Sequence, residues 1–270
     1  MAFDLQGHRG TRGHAPENTL PSFALAIEMG ADTLEMDVGV TRDGVVVIHH
    51  DRRLNPDVAR GLDGKWVTAP APLIHQLSFS ELQRYDVGRI RPGSEYAARF
   101  PHQKPLDGTR IPRLADLFEK ARDGKVRFNI EAKLVPNAPE ETLPPEPFAH
   151  ALIAEVRKAG MEKRAQIQSF DFRILKVVEK EAPEIATAYL TEGKRSDPAK
   201  VREAGARTWS PDFRDLDAAK VAQARALGLR IVAWTVNEPD AIRHVLGLKL
   251  DGIISDYPDR VRAALKEEGR

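Results

Sequence analysis

The chain contains no cysteine. Disulfides, thiolate metal sites and a thiol nucleophile are therefore excluded. It also has almost no net charge: 41 Lys and Arg against 40 Asp and Glu leave +1 with neutral histidines. That balance argues against a surface built to hold nucleic acid or anionic lipid, while leaving room for a local charged site. No run approaches the roughly 20 apolar residues that span a bilayer, and no amphipathic basic helix suggests stable membrane association. The opening Met1-Ala2-Phe3-Asp4-Leu5-Gln6-Gly7-His8 lacks the basic and apolar regions of a secretory leader. The expected compartment is the cytoplasm, or the periplasm if a leader has been removed. Internal repeats and low-complexity segments are also missing.

What is present is an alternation. At 270 residues the chain suits one large α/β barrel or two ordinary domains. Short apolar runs read as strands at Asp4–Arg9, Thr33–Val40, Val126–Lys133, Ala165–Ser169, Ile185–Leu190, Ala206–Ser210, Leu229–Thr235 and Asp251–Ser255. Helical patterns follow most of them, at Leu20–Met29, Pro147–Ala159, Asp171–Glu181, Leu216–Leu227, Pro239–Leu246 and Pro258–Glu267. Asp171, Asp215 and Asn237 are candidate N-caps, and Gly160, Gly205 and Gly228 candidate stops. A ninth run, Val45–His50, follows Thr41-Arg42-Asp43-Gly44, which is too short for a parallel crossover and carries the Asp-Gly hairpin signal. It therefore runs antiparallel to Thr33–Val40. Eight parallel strands remain, the number that closes a (β/α)8 barrel. Residues 1–270 then form a single barrel domain.

Two segments break the alternation. Residues 52–113 hold seven prolines and 134–147 hold five of the chain's 19. Both begin where a strand ends, which in a barrel is the C-terminal mouth. Residues 52–113 are read as an insertion capping that mouth, because loops this long are commonly functional. The plainer alternative is a mobile excursion without a role.

Four of the eight histidines, His8, His14, His49 and His50, fall early in the chain, with Glu35 and Asp37 between them. Positions 35 and 37 of a strand share a face, and two carboxylates on one face need a cation to compensate them. If Arg42 pairs with Val45 across the hairpin, His50 sits opposite Asp37. If Val40 pairs with Val45, it sits opposite Glu35. Either register brings His50 beside the carboxylates. Glu131 and Lys133 share a face at the end of the neighbouring strand, and His8 and Arg9 end the first. Three carboxylates against a divalent cation, Arg9 and Lys133 leave one surplus positive charge, which a monoanion such as a phosphodiester neutralises. An all-oxygen ligand set favours Mg²⁺, Ca²⁺ or Mn²⁺. Two flanking histidines can act as general base and acid near neutral pH.

Each signal is ordinary alone: a Glu-x-Asp is usually a solvated strand edge, and Glu131 with Lys133 a weak salt bridge. Their convergence on adjacent strand ends is what points to chemistry. His49 points away if His50 points in, and is read as bracing or structural. His14 stays ambiguous between site and loop. His75, His102, His150 and His244 are read as structural or surface residues.

These residues resemble the glycerophosphodiester phosphodiesterase family. The matching blocks are His8-Arg9-Gly10 with Pro16-Glu17-Asn18-Thr19, Glu35-Met36-Asp37-Val38, Thr41-Arg42-Asp43-Gly44, His50-Asp51 and Asn129-Ile130-Glu131-Ala132-Lys133. Gln168-Ser169-Phe170, Trp234-Thr235-Val236-Asn237 and Asp251-Gly252-Ile253-Ile254-Ser255-Asp256 complete the series. The resemblance implies a TIM barrel with a small insertion after the second-strand hairpin. It also implies hydrolysis of small-molecule glycerophosphodiesters to an alcohol and sn-glycerol 3-phosphate. By position, His8 and His50 match the acid/base pair, Glu35, Asp37 and Glu131 the metal ligands, and Arg9 and Lys133 phosphate contacts. Trp234 matches a pocket-wall residue, with core packing as the alternative. Glu17 and Asn18 brace the site or only their loop. The rival functions are a lysophospholipase D acting on lipid-tailed phosphodiesters, a metal-dependent enoliser, and a non-catalytic phosphodiester-binding protein.

Overall fold

The computed structural model describes residues 3–269. Its strands are β1 (Asp4–Gly7), β2 (Thr33–Val40), β3 (Val46–Ile48), β4 (Arg127–Ala132), β5 (Ala165–Ser169), β6 (Ala186–Thr191), β7 (Thr208–Pro211), β8 (Arg230–Ala233) and β9 (Gly252–Ser255). The hydrogen-bonded order β1-β9-β8-β7-β6-β5-β4-β2 closes through the β1–β2 pairing, and every pair in this ring is parallel. This is a closed (β/α)8 barrel, with β3 outside the ring. The helices are α1 (Leu20–Glu28), α2 (Phe79–Leu82), α3 (Glu95–Arg99), α4 (Leu114–Lys120), α5 (Pro145–Ala159), α6 (Phe172–Glu181), α7 (Pro198–Glu203), α8 (Ala218–Ala226), α9 (Pro239–Gly247) and α10 (Pro258–Glu267). The sequence pattern had left α4 and α7 unassigned, since both are short and flanked by charged residues.

The strands alternate strictly. Leu5, Leu34, Met36, Phe128, Ile130 and Ile167 face outward into one core shared with α1, α4, α5 and α6. The opposite faces of the same strands carry polar groups. At the N-terminal end Asp4, only 2% exposed, accepts bonds from Arg127 (2.8 Å), Arg230 (2.7 Å), Thr33 (2.7 Å) and Gln6 (3.0 Å). Above it Asn129 donates to Gln6 (2.7 Å) and Gln168 (2.9 Å), and Gln168 donates to Glu35 (3.0 Å). The side of the barrel interior formed by β1, β2, β4 and β5 is thus a column of hydrogen-bonded polar side chains, each bond offsetting the cost of burial.

The hairpin differs from both expected registers. Val38 pairs with Ile48, Gly39 with Val47 and Val40 with Val46. Thr41 donates to the Val45 carbonyl (3.0 Å), so Arg42, Asp43 and Gly44 form a three-residue loop. Gly44 takes φ +79°, the left-handed conformation that such a loop needs at its last residue. One extra loop residue shifts the register by one. By strand alternation His50 would then follow Met36 onto the outer face. It escapes because β3 stops at Ile48 and the chain bends before His50. Val46 and Ile48 pack into the barrel core, while Val47 packs with Leu54, Ile74, Leu82, Val87 and Ile111. Residues 52–113 therefore gather a second apolar cluster, nucleated by one face of β3.

Cap assignments differ at two places. Asp171 does cap α6, accepting from Arg173 N at 3.0 Å. Asp217 rather than Asp215 caps α8, and α9 is preceded by Glu238 rather than Asn237. Asp215 instead binds Ser196 (2.7 Å) and Asn237 is drawn to a buried carboxylate. Gly160, Gly205 and Gly228 all have positive φ just after their helices.

Replacing Asp4 by Ala would leave the Arg127 and Arg230 guanidiniums without their shared carboxylate. We expect a loss of about 2 kcal/mol, less than the ~3–5 kcal/mol of a fully buried pair because Arg127 and Arg230 keep partial access to water, read from urea unfolding. A loss below about 1 kcal/mol would mean that solvent replaces the carboxylate.

Candidate active site

Strand β2 is longer than β1, and this organises the site. β1 occupies one edge of β2 only at Thr33 and Leu34. β4 covers the other edge up to Val38. Because Val38 pairs with both Ala132 and Ile48, β3 lies on the same edge as β1. β1 runs up that edge and β3 runs down it, so their C-terminal tips face one another across a gap at Glu35, Met36 and Asp37. His8 follows one tip and His50 follows the other. The gap is filled by Asn18, whose Nδ2 donates to Asp37 Oδ2 (2.9 Å) and whose Oδ1 accepts from Asp37 N (3.3 Å). His49 N donates to the Asp37 carbonyl (2.9 Å).

The loop between β1 and α1 is shaped to do this. Gly10 has φ +84°, and a Cβ there would lie 2.4 Å from Ser22 Oγ. Ser22 Oγ in turn accepts from Thr11 N (2.8 Å) and donates to the Arg9 carbonyl (3.2 Å). Arg9 (φ 51°) and Asn18 (φ 56°) are both left-handed without being glycine. Each such residue costs of order 1 kcal/mol or more and persists where surrounding contacts hold it, typically at functional sites.

Two cavity walls meet at the mouth. The cavity measures about 620 Å³ and its lining includes His8, Arg9, Glu35, His50, Glu131 and Lys133, opposite Phe170, Phe213 and Trp234. The ring of Phe170 meets Trp234 edge to face at 5.4 Å, and Trp234 Nε1 donates to the Ser210 carbonyl (2.8 Å). Trp234 is a half-buried wall residue and belongs to no closed core. Asp37 is fully buried behind Glu35 and Glu131. Oxygen atoms of these three carboxylates all lie within 4.8 Å of one another.

The charges are unevenly compensated. Asp37 has Arg9 Nε at 3.1 Å and Lys133 Nζ at 3.3 Å. Burial opposes its ionisation, but Arg9 and then Lys133 hold it well below the usual carboxylate range. Glu35 is raised well above that range by burial, with Asp37 and Glu131 adding to the rise. Burial pushes Glu131 up to about 7, Lys133 at 2.8 Å working against it. The triad is short of positive charge, and Asp37 Oδ1 has no hydrogen-bond partner. Three buried carboxylates, one with an oxygen met only by the Lys133 ammonium at 3.3 Å and outside hydrogen-bond geometry, fit a hard divalent cation. They are what the chain offers as a metal site.

Both histidines have a carboxylate on Nδ1. His8 Nδ1 lies 2.7 Å from Asp256 Oδ1, with its Nε2 3.9 Å from Glu35 Oε2. Asp256 is fully buried and also binds Arg12 through both oxygens (2.7 and 3.0 Å) and Asn237 (2.7 Å). Burial opposes its ionisation, but Arg12 and His8 together keep Asp256 far below the usual range. An ionised Asp256 fixes the tautomer of His8 with its proton on Nδ1 and its lone pair on Nε2. His50 Nδ1 lies 2.7 Å from Asp51 Oδ1, and Asn55 donates to Asp51 Oδ2 (2.6 Å). Burial lowers His8 and His50 to about 4, the carboxylates pulling the other way.

Sequence reasoning gives no individual role to Asp256, Arg12 or Asp51, and reads Asn237 only as a helix cap. A buried Asp ending an apolar strand beside the first strand was the available signal for Asp256. His14 lies against Asp259 (2.9 Å) and Tyr257, and His49 approaches the Arg53 carbonyl (3.3 Å), both outside the cavity lining. Glu17 binds Arg9 NH1 at 2.8 Å.

A parallel barrel with its charged groups gathered at the C-terminal mouth places the chain among the TIM-barrel enzymes. Comparison with known proteins narrows this. The sequence model of the glycerophosphoryl diester phosphodiesterase family matches residues 8–260, and the chain belongs to that family and is an enzyme of it. The chain is 30% identical over 266 residues to a glycerophosphodiester phosphodiesterase of Bacillus subtilis, covering 93% of this chain and 83% of that one. It superposes with TM-score 0.94 and 34% identity on a candidate glycerophosphoryl diester phosphodiesterase from Silicibacter pomeroyi DSS-3, covering 99% and 94% of the two chains. An Oleispira antarctica phosphodiesterase solved with its product sn-glycerol-3-phosphate matches at TM-score 0.77 and 25% identity, over 97% and 96%. Among the described residues, no helix is long and apolar enough to cross a membrane.

A histidine lowered to about 4 binds fewer protons in the folded than in the unfolded chain between pH 6.5 and 4. The neutral imidazole's stability is complete above about 6.5 and is lost as the pH falls towards 4. His8→Gln should therefore flatten the fall in urea-measured stability across that window, by at most about 1.4 kcal/mol per pH unit. An unchanged slope would place the His8 pKa near its ordinary value.

Proposed function

We propose that this chain hydrolyses small glycerophosphodiesters to an alcohol and sn-glycerol 3-phosphate, with His8 and His50 as the acid/base pair. The observation that carries the reading is that two neutral imidazoles, each engaged through Nδ1 by an ionised carboxylate, flank one buried triad of carboxylates with two cations beside it. The product complex of the Oleispira antarctica relative supports the choice of substrate.

Glu35, Asp37 and Glu131 would hold a divalent cation, Mg²⁺ or Ca²⁺, with Mn²⁺ a third candidate. Bound there, the ion would supply positive charge against the phosphoryl oxygens as negative charge builds up on them. Arg9 and Lys133 add charge on either side and orient the phosphate. His8 Nε2 takes the proton of the nucleophile, which is water or the substrate's own neighbouring hydroxyl, as its oxygen bonds to phosphorus. His50, entering the step protonated, gives its Nε2 proton to the leaving alkoxide as the other P–O bond breaks. Where the hydroxyl attacks, water then opens the cyclic phosphate, His50 taking the water's proton and His8 returning its own to the freed glycerol oxygen. Asp256 and Asp51 stabilise the imidazolium forms and hold the rings in place. Phe170, Phe213 and Trp234 offer an apolar wall to the carbon skeleton of the bound diester. Residues 52–113, which bring Asn55, Tyr96 and Arg99 to the same cavity, cap the mouth and meet the alcohol moiety.

Release of glycerol 3-phosphate, detected by a coupled assay over a panel of glycerophosphodiesters, tests the activity. His8→Ala and His50→Ala should each lose about 100-fold or more. Either variant keeping more than about a tenth of wild-type turnover would remove that histidine from acid/base work.

The cation reading has a separate test. Glu35 and Glu131 hold protons more tightly than ordinary carboxylates, Glu131 up to about 7. A divalent ion must displace those protons, so its affinity should rise as the pH passes upward through about 7. Calorimetry at pH 7 in buffers of different ionisation enthalpy should report proton release on adding Mg²⁺, Ca²⁺ or Mn²⁺. Turnover that survives exhaustive chelation would overturn the requirement for metal.

A further inference from the structure

Tyr96 lies on α3, inside the segment 52–113, yet its hydroxyl reaches the first turn of the barrel. It donates to Glu17 Oε2 and accepts from Arg12 NH1 at 3.3 Å. From there two chains of contacts run inward. One passes through Glu17 Oε1 to Arg9 NH1 (2.8 Å), and the Arg9 guanidinium stands 3.1 Å from Asp37. The other passes through Arg12 to Asp256, bound through both oxygens, and so to His8 Nδ1. Among the described residues, no other residue of the segment is hydrogen-bonded to both chains at once.

The docking around this hydroxyl is specific. Phe100 lies edge to face with Tyr96 at 5.3 Å, and the Arg12 guanidinium sits 4.7 Å from the centre of the Phe100 ring. Gln103 Nε2 donates to the Arg12 carbonyl (2.8 Å) and Lys104 N to the His14 carbonyl (2.9 Å). Residues 96–104 thus grip the loop that carries Arg9 and Arg12. Glu17 is a carboxylate with its side chain only 9% exposed. Such a group must be satisfied from every side or it draws its cationic neighbour towards itself. With the tyrosine hydroxyl on Oε2, Glu17 leaves Arg9 shared between itself and Asp37. Without it, Arg9 is left to answer Glu17 more fully, at the expense of the phosphate.

We propose that Tyr96 is a positioning residue for the phosphodiesterase reaction, setting the Arg9 guanidinium through Glu17 and thereby tying the insertion to the barrel's catalytic end. The inference rests on the function proposed above. It makes the insertion a working part of phosphate recognition as well as a wall for the alcohol.

The test is a double-mutant cycle of Tyr96→Phe and Glu17→Gln. Tyr96→Phe keeps the ring packed on Phe100 and removes only the hydroxyl. Three quantities are read for each variant: kcat/KM on glycerophosphodiesters, the inhibition constant of inorganic phosphate, and the thermal midpoint. Tyr96→Phe should lower kcat/KM about tenfold and weaken phosphate inhibition at least fivefold, while the thermal midpoint moves by no more than a few degrees. In the Glu17→Gln background the same change should cost less than twofold, because its route to Arg9 has already been cut. A Tyr96→Phe enzyme within twofold of wild type in both kcat/KM and phosphate inhibition would overturn the inference, leaving the function intact. So would losses that multiply in the double variant, since the hydroxyl would then act independently of Glu17. A fall in thermal midpoint that accounts for the lost activity, with phosphate inhibition unchanged per folded molecule, would also overturn it. Wild-type protein without any phosphodiesterase turnover would overturn both readings together.

Discussion

Three carboxylates buried within 4.8 Å of one another repel, and much of the polar structure of this barrel is arranged around that repulsion. Arg9 and Lys133 neutralise Asp37. Glu35 is held from above by the Arg9 backbone amide (3.0 Å) and from below by Gln168 (3.0 Å). The support from below continues through Asn129 and Gln6 to Asp4, at the opposite end of the barrel. A barrel interior of this kind is ordinarily filled with branched apolar side chains. Here the side formed by β1, β2, β4 and β5 is a column of amides and carboxylates, while β6, β8 and β9 turn Ala188, Leu190, Val232 and Ile254 inward. The polar filling fixes the rotamer of Glu35, and what remains uncompensated is the deficit of positive charge that a cation and an anionic substrate together can settle.

The second constraint is the unequal length of β1 and β2. A strand edge left unpaired in a protein interior must find partners for its amides and carbonyls. β2 extends beyond β1, and β3 folds back to cover the excess. The remaining gap is closed by the side chain of Asn18 and the backbone of His49. Pairing the edge in this way places two strand tips head to head, and a histidine follows each. The placing of the two histidines is therefore a by-product of satisfying one strand's hydrogen bonds. The left-handed conformations at Arg9 and Asn18 are the local strain that this closure carries.

Much of this was legible beforehand, and the gaps have physical causes. Strict alternation along Asp4–Arg9, Thr33–Val40 and Val126–Lys133 placed Glu35, Asp37, Glu131 and Lys133 on inward faces, since a strand's period of two is a covalent fact. The Asp-Gly turn marked β3 as antiparallel. It did not fix the loop length, because Thr41 and Val45 close a three-residue loop only through a left-handed Gly44, and the register moved by one. The face presented by His50 then depended on where β3 stops and bends. Helices α4 and α7 were missed because short segments with charged flanks carry little periodic signal. Their stability comes from packing on the sheet.

The sequence by itself determined the ring of eight parallel strands, the side-chain types at each strand end and the faces on which the carboxylates lie, because backbone periodicity and connection length are local properties. Only the tertiary structure decided that Asp256 orients His8, that Asn237 serves that carboxylate instead of capping a helix, and that Tyr96 reaches Glu17. Those pairs are separated by 248, 19 and 79 positions. Buried charge selects its partners after the chain has closed, by whichever donors the barrel brings within reach, and sequence distance places no limit on that choice.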